Sequence, residues 1–211
     1  MNDDLRTLVS YIIYCYSHNH RPNQFIIYQL SEMNHDEKHQ KPKTPTITLR
    51  KFTLSDVDAF MSWAADPRVT RFQRRDPYSD PADALAYITT HILPHPWYRA
   101  ICIDNTPVGS ISVKPAPGED RHRASIGYRL AYDYWGKGIA TEALKLTIKA
   151  AFEELDHLER LEAIADVDNP ASQRVLEKAG FKEEGILRKY VRLKGETRDM
   201  VMFSFLLSDA V

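Results

Sequence analysis

The stretch Tyr134-Trp135-Gly136-Lys137-Gly138-Ile139-Ala140-Thr141-Glu142-Ala143 says more about this chain than any other part of it. Two glycines form a turn that leads directly into a segment with apolar residues at helical spacing. Glycine lets the backbone direct several N–H groups toward one point, and the N-terminus of the following helix adds a partial positive charge. The sequence therefore predicts a phosphate-binding site at residues 135–138, which we call the glycine turn.

Two common phosphate-binding motifs fit the glycine turn poorly. A P-loop requires G-x-x-x-x-G-K-[ST], but here Gly138 is followed by Ile139 and Ala140. A Rossmann fingerprint requires a third glycine or alanine where this chain has Thr141. It also opens the first βαβ unit of a domain, whereas this turn lies about two-thirds of the way along the chain.

The turn instead resembles the coenzyme A pyrophosphate motif of the GNAT acetyltransferases, Q/R-x-x-G-x-G/A, with Trp135 in place of the usual Gln or Arg. A second motif lies downstream. Asn169-Pro170-Ala171-Ser172 opens a predicted helix with a good N-cap and a proline at the first position, and Lys178-Ala179-Gly180-Phe181 closes it. Together these motifs are similar to the RimJ/RimL-like branch of the family over roughly residues 46 to 208. The segments 91–97 and 187–190 resemble its plant members in particular.

Length and composition are typical of one globular domain. The chain has 211 residues, of which 43% are apolar and 27% charged, with a net charge of −1. A nucleic-acid-binding protein would normally show a basic surplus, so we expect no nucleic-acid partner. Two cysteines, Cys15 and Cys102, provide neither a disulfide framework nor a metal cluster. We therefore expect no metal and a cytoplasmic location, with the nucleus as a second possibility.

Residues 1–45 differ from the remainder and are predicted to be an N-terminal extension, either flexible or a short added helix. The apolar run at 8–16 is about half the length that a membrane span requires, and its flank is acidic rather than basic. We therefore expect no membrane partner. Residues 46–211 are predicted to be the acetyltransferase domain.

The pattern of apolar residues and turn signals in residues 46–211 predicts the element order β-α-α-β-β-β-α-β-α-β-β. This is the GNAT order, so the resemblance implies an α/β (α+β) fold. We expect a mixed, mostly antiparallel seven-stranded sheet flanked by four helices, with Trp63 and Trp97 in the core.

In this family, coenzyme A enters a gap between two strands that splay apart at their carboxyl ends. The resemblance implies that acetyl-CoA is the co-substrate. It also implies which residues contact it: Leu130, Ala131, Tyr132, Trp135, Gly136, Lys137, Gly138, Ile139, Ala140, Thr141, Asn169 and Ser172.

The resemblance also implies catalytic residues. In the RimJ/RimL-like branch the serine of N-x-x-S acts as the acid, and Ser172 matches it, while Asn169 would hydrogen-bond the substrate or the pantetheine. The helix tyrosine of many GNAT enzymes is replaced by Leu176, and a glutamate of some relatives aligns with Val191. Tyr128, on the strand before the glycine turn, is a candidate for relaying a proton through water.

The general base is left open by the sequence. Asp166, Asp168 and Glu162 lie on or beside the strand that precedes the second motif. Each of them is equally well explained as a cap of the following helix or as a partner of Arg160.

The implied activity is transfer of an acetyl group from acetyl-CoA to a primary amine, by direct attack in a ternary complex. A protein or peptide N-terminus is the leading acceptor, because an α-amino group is about a tenth neutral at pH 7 and demands little of a base. Two alternatives stay open. One is a polyamine-type acceptor, for which Asp76 and Asp80 are a weak indication, and the other is a non-catalytic acyl-CoA-binding module. The protein is expected to be a monomer or a homodimer.

Overall fold

A single seven-stranded sheet organises the part of the chain that the computed structural model describes, residues 46–209. The predictions for residues 1–45 lie outside the described residues. The strands are β1 (Ile47–Arg50), β2 (Tyr98–Ile103), β3 (Thr106–Pro115), β4 (Arg123–Leu130), β5 (Arg160–Asp166), β6 (Lys182–Leu193) and β7 (Glu196–Leu206). Their order across the sheet is β1-β2-β3-β4-β5-β7-β6.

Within the described range, five α-helices cover the sheet: α1 (Val57–Ala64), α2 (Pro67–Thr70), α3 (Pro81–Tyr87), α4 (Ile139–Glu154) and α5 (Pro170–Lys178). The predicted fold class and order are confirmed, with one short helix added. Asp66 and Pro67, which predict the end of the first helix, also start α2, since the Asp66 side chain accepts a hydrogen bond from the Arg68 N–H at 2.8 Å. Helix α3 continues as a π-helical turn over Ile88–Ile92.

Neighbouring strands are antiparallel except for one pair, β4 and β5. Tight two-residue turns join the strands of two hairpins, β2–β3 and β6–β7. Asp104 and Asn105 have φ of +48° and +66° between β2 and β3, and Lys194 and Gly195 have φ of +49° and +90° between β6 and β7. These left-handed pairs are the conformation that two-residue hairpin loops require.

The core has two layers, one on each face of the sheet. Helices α4 and α5 pack on one face, where Leu144 and Ile148 are buried with Ile111, Leu161 and Phe203. Helices α1 and α3 pack on the other face, where a second set is buried: Phe60, Trp63, Ile88, Tyr98 and Ala100. Trp63 and Trp97 are both buried, as predicted. Each large apolar side chain buried in this way contributes about 1.5–3 kcal/mol.

Candidate active site

The glycine turn presents free backbone donors. Gly136 and Gly138 have φ of +72° and +77°, and Gly138 is the N-cap of the 16-residue helix α4. No side chain of the described residues caps this helix, and the Glu142 N–H donates a hydrogen bond of 3.1 Å to the Gly138 carbonyl oxygen. The N–H groups at the start of the helix, from Ile139 to Thr141, therefore lack acceptors within it, at its positive end.

The space in front of the turn is open. A Cβ built on Gly136 or on Gly138 would meet no atom within 4 Å. These positions therefore require glycine for their positive φ rather than for lack of room. An open, donor-rich turn of this kind fits the phosphate groups of a coenzyme.

Strands β4 and β5 separate in front of the glycine turn. They pair only from Arg123 to Ser125 with Arg160 to Glu162, after which β5 pairs only with β7. Between the separated ends lies a cavity of about 520 Å³. The glycine turn, the first turns of α4 and α5 and part of the α1–α3 connection all line it. With respect to residues 46–209, the edge of β4 beyond Ser125 is thus unpaired and can accept an extended ligand, in the manner of an added strand.

Three predicted catalytic residues meet in this cavity. The hydroxyl of Tyr128 lies 2.8 Å from the Oγ of Ser172 and donates a hydrogen bond to the Ser172 carbonyl oxygen at 3.1 Å. The Oδ1 of Asn169 accepts the Ser172 N–H at 3.1 Å, which makes Asn169 the N-cap of α5. Tyr128 reaches from the strand to the start of the helix, so that a phenol and a serine hydroxyl form one hydrogen-bonded pair.

The Tyr128–Ser172 pair can donate protons but cannot act as a base. Burial raises the pKa of Tyr128 to about 12, although its hydrogen bond with Ser172 acts in the opposite direction. At neutral pH the phenol is therefore protonated, and it can donate but cannot act as a base. Leu176, at the position of the tyrosine found in many family members, is buried in the core.

The carboxylates that the sequence leaves as candidate bases are all engaged by arginines. Asp166 accepts from the Nε and Nη2 of Arg198 at 2.9 and 3.0 Å, and Asp168 pairs with the same guanidinium. Glu162 pairs with Arg160 at 2.9 Å and with Arg123 at 3.3 Å.

The Arg198 guanidinium lowers the pKa of Asp166, the only carboxylate within residues 46–209 that lines the cavity. A carboxylate with a lowered pKa that is held by a guanidinium is a poor proton acceptor. We therefore assign none of these three carboxylates as the general base.

The ion pair between Arg198 and Asp166 has a structural role, because Asp166 is only 3% exposed. Replacing Arg198 with Met leaves a buried carboxylate without its partner, and we expect the free energy of unfolding to fall by about 3 kcal/mol in urea denaturation at pH 7. Arg188→Met is the matched control, since Arg188 is exposed on the neighbouring strand β6. An equal loss in both variants would contradict a specific role for the pair.

The same pair predicts a pH dependence. The pKa of Asp166 is lowered on folding from an ordinary value near 3.8. Its stabilisation is therefore complete above that pH and is lost as the pH falls through the lower, folded-state pKa. The stability difference between wild type and Arg198→Met should be constant down to about pH 5 and should shrink below about pH 4. Urea titrations at several pH values measure it.

Three of the predicted coenzyme contacts lie beside the cavity rather than in its lining: Ala131, Tyr132 and Lys137. The Ala131 N–H donates to the Val108 carbonyl oxygen at 2.8 Å, so this donor is occupied within the sheet. The Tyr132 ring lies 5.1 Å from the Trp135 ring, and the Lys137 ammonium lies 5.6 Å from the centre of the Tyr134 ring.

Trp135 is partly exposed and links the glycine turn to the end of β4 through a hydrogen bond. It is 43% exposed, and its indole N–H donates to the Leu130 carbonyl oxygen at 2.7 Å. The remaining predicted contacts line the cavity: Leu130, Trp135, Gly136, Gly138, Ile139, Ala140, Thr141, Asn169 and Ser172.

Sequence reasoning considered Arg71, Arg74 and Arg75 of the α1–α3 connection, but it did not single out Arg129 or the residues of the connection that line the cavity. Arg68, Phe72 and Gln73 line the cavity, and the Arg68 guanidinium stacks on the Tyr132 ring at 3.6 Å from its centre. This contact joins the connection to the segment leading into the glycine turn. The sequence feature that could have indicated this part of the site is the cluster of arginines at 68–75. By composition alone, that cluster is equally consistent with a solvated loop.

Neither aspartate that indicated a polyamine acceptor is free. Asp80 accepts the Ala82 N–H at 2.8 Å as the N-cap of α3, and Asp76 pairs with Lys194 at 3.2 Å. Both carboxylates therefore have a partner within the domain: a nearby backbone N–H for Asp80 and a lysine distant in sequence for Asp76.

Among residues 46–209, no group of three or more metal-ligating side chains is close enough to hold an ion. No helix in this range is long and apolar enough to cross a bilayer.

Comparison with known proteins gives a consistent result. Residues 46–182 match the family described as "Acetyltransferase (GNAT) domain". The uncharacterized N-acetyltransferase p20 of Bacillus licheniformis is 34% identical over 169 residues, which is 77% of this chain and 94% of that protein.

Two solved structures share the fold at lower identity. One is RimL, a ribosomal L7/L12 α-N-protein acetyltransferase in complex with coenzyme A, with a TM-score of 0.68 at 23% identity over 78% of this chain and 96% of that chain. The other is the spermidine N-acetyltransferase from Vibrio cholerae in complex with CoA and spermine, with a TM-score of 0.67 at 19% identity over 77% and 96% of the two chains.

Proposed function

Because the chain belongs to the GNAT family and is an N-acetyltransferase, we propose that it transfers the acetyl group of acetyl-CoA to the α-amino group of a protein or peptide. The supporting observation is that one cavity contains both the open glycine turn and the hydrogen-bonded pair of Tyr128 and Ser172. The first fits a pyrophosphate, and the second can protonate a leaving group.

The absence of a free carboxylate from the described part of the cavity favours an α-amino acceptor. A lysine side chain is almost fully protonated at pH 7, so a lysine acetyltransferase needs a base to generate the neutral amine. About a tenth of an α-amino group is already neutral at that pH. Such an acceptor reacts in a site that offers proton donors and no strong base.

The proposed roles follow from the protonation states. Acetyl-CoA supplies a thioester, whose carbonyl carbon is attacked by the neutral amine. A C–N bond forms, the C–S bond breaks, and the amine gives up its surplus proton to solvent. Tyr128 holds a proton at its hydroxyl for the departing sulfur, and Ser172 orients that hydroxyl and returns a proton to it from solvent. Thiols have a pKa near 8.5, so the sulfur needs only modest help.

Removing the hydroxyl of Ser172 is expected to slow the chemical step without weakening coenzyme binding. Ser172→Ala leaves the backbone bonds of α5 intact, because the Asn169 cap uses the Ser172 N–H and not its side chain. We expect kcat to fall about tenfold or more, with the Kd of acetyl-CoA nearly unchanged. Steady-state assays and calorimetric titration measure the two quantities. An unchanged kcat would remove Ser172 from the mechanism.

A polyamine acceptor is the second candidate, since the fold is shared with a spermidine acetyltransferase. The charges near the cavity oppose it, because Asp76 and Asp80 are engaged and the α1–α3 connection is rich in arginine. A non-catalytic acyl-CoA-binding module is the third. It would bind acetyl-CoA through the same turn without releasing thiol.

One assay separates the three candidates. Thiol release from acetyl-CoA is followed with N-terminal peptides, with the same peptides blocked at the N-terminus but carrying a lysine, and with spermidine. Release only with free N-termini supports the proposal, and release with spermidine alone would replace it by the second candidate. Binding of acetyl-CoA without release on any amine would favour the third.

A further inference from the structure

Arg129 is a positively charged residue of the cavity lining that has no role in the proposed mechanism. It follows Tyr128 on β4, so its side chain projects from the opposite face of the sheet, toward α1 and α3. It lines the cavity and is half-buried. Among residues 46–209 no carboxylate lies within 4 Å of its guanidinium, whereas Arg68 and Arg198, two of the other arginines that line the cavity, are both paired.

Tyrosines rather than acids surround Arg129. Tyr78, Tyr87 and Tyr98 lie close to it, and Tyr87 is a hydrogen-bond partner of its guanidinium. The Tyr78 hydroxyl is buried and has no hydrogen-bond partner among residues 46–209. Burial raises the pKa of Tyr78 to about 12 although Arg75 and Arg129 both lie near it. Within the described part of the chain, the Tyr78 hydroxyl thus lacks an acceptor, and the guanidinium, which hydrogen-bonds to Tyr87, lacks a carboxylate.

The surrounding surface adds positive charge. Arg75 stacks on the rings of Tyr78 and Tyr87, at 5.1 and 4.7 Å from their centres. Arg71 and Arg74 belong to the same connection, and within the described residues none of these three arginines forms an ion pair. This side of the cavity therefore repels polycations and attracts anions.

We propose that the acceptor peptide carries a carboxylate within its first residues and that Arg129 binds this carboxylate while the amine faces Tyr128 and Ser172. A half-buried guanidinium is costly without an anionic partner, and its planar fork matches a carboxylate in bidentate geometry. A carboxylate there would also accept from the free Tyr78 hydroxyl. The inference rests on the proposed function and narrows it to acidic N-termini.

The test compares three peptides that differ only at the second residue, which is Glu, Gln or Lys. The wild-type protein should show a kcat/KM for the Glu peptide about tenfold to a hundredfold above that for the Gln peptide, with the Lys peptide lowest. In Arg129→Gln the preference should disappear through loss on the Glu peptide alone. Calorimetric titration of acetyl-CoA should give the wild-type Kd, which shows that this variant is folded.

Two further variants sharpen the comparison. Arg121→Gln removes an exposed arginine that lies outside the cavity and should keep the full preference. Arg129→Lys keeps the charge without the planar fork and should keep part of the preference.

The outcomes separate the inference from the function on which it rests. Equal kcat/KM for the Glu and Gln peptides in the wild type would overturn the role of Arg129 and leave peptide acetylation intact. An equal loss on all three peptides in Arg129→Gln would also overturn it, since that pattern indicates a general structural role. Turnover of none of the peptides would overturn the proposed function itself.

Discussion

Gly138→Val is expected to abolish measurable acetyl-CoA binding, with a Kd raised at least about a hundredfold. The φ of +77° at this position is unfavourable for a β-branched residue, so the turn must rearrange. Rearrangement would redirect the N–H groups of Ile139 and Ala140 that face the cavity. Losing two hydrogen bonds to a charged group, each worth about 1.5–3 kcal/mol, accounts for a change of this size. Isothermal titration calorimetry with acetyl-CoA measures it.

The matched control is Gly118→Val. Gly118 also has a positive φ, +61°, and open space around its Cβ position, but it does not line the cavity. This variant suffers comparable backbone strain, so its stability should fall by about 1–3 kcal/mol while acetyl-CoA binding is retained. Normal acetyl-CoA titration by Gly138→Val would show that the coenzyme binds elsewhere.

Tyr128→Phe is expected to lower kcat by about a hundredfold. The substitution removes the hydroxyl that pairs with Ser172 and keeps the ring that packs beside the core. A positioned proton donor contributes 10²–10⁴-fold in general, and the modest need of a thiol leaving group places this case near the lower end. Stopped-flow measurement of thiol release under saturating substrates isolates the chemical step.

Tyr190→Phe is the control for this variant, because Tyr190 is an exposed tyrosine on β6. It should keep wild-type kcat. If Tyr128→Phe also kept it, the pair of hydroxyls would be structural, and the proton for the sulfur would come from solvent. A matching loss in Tyr128→Phe and in the double variant with Ser172→Ala would show that the two hydroxyls act as one unit.

Much of the site was open to prediction because it depends on local backbone conformation. Gly136 and Gly138 are required by their positive φ, and Asn169 and Pro170 by the first turn of α5. Such preferences act within a few residues, so the sequence states them directly. The same holds for Asp66 and Pro67, although only the structure shows that they start a helix as well as end one.

The roles of individual side chains were harder to predict from the sequence, because they depend on contacts between residues that are distant in the chain. Whether Asp166 could act as a base depends on Arg198, which lies 32 residues away on a neighbouring strand. The pairing exists because β5 and β7 are antiparallel in one particular register, which a single sequence does not reveal. The same uncertainty applied to Asp76, whose partner is Lys194.

The resemblance of the two motifs to the GNAT family implied the fold and the coenzyme. By itself, then, the sequence determined the order of helices and strands, the glycine turn, and the helix that carries Ser172. These follow from apolar periodicity, glycine conformation and helix capping, all of which are short-range. The tertiary structure alone decided that Tyr128 pairs with Ser172 across 44 residues, that the candidate carboxylates are occupied, and that Arg129 has no carboxylate partner among residues 46–209. These pairings depend on strand register and on which side chains meet across the sheet. They are therefore determined only by the folded chain.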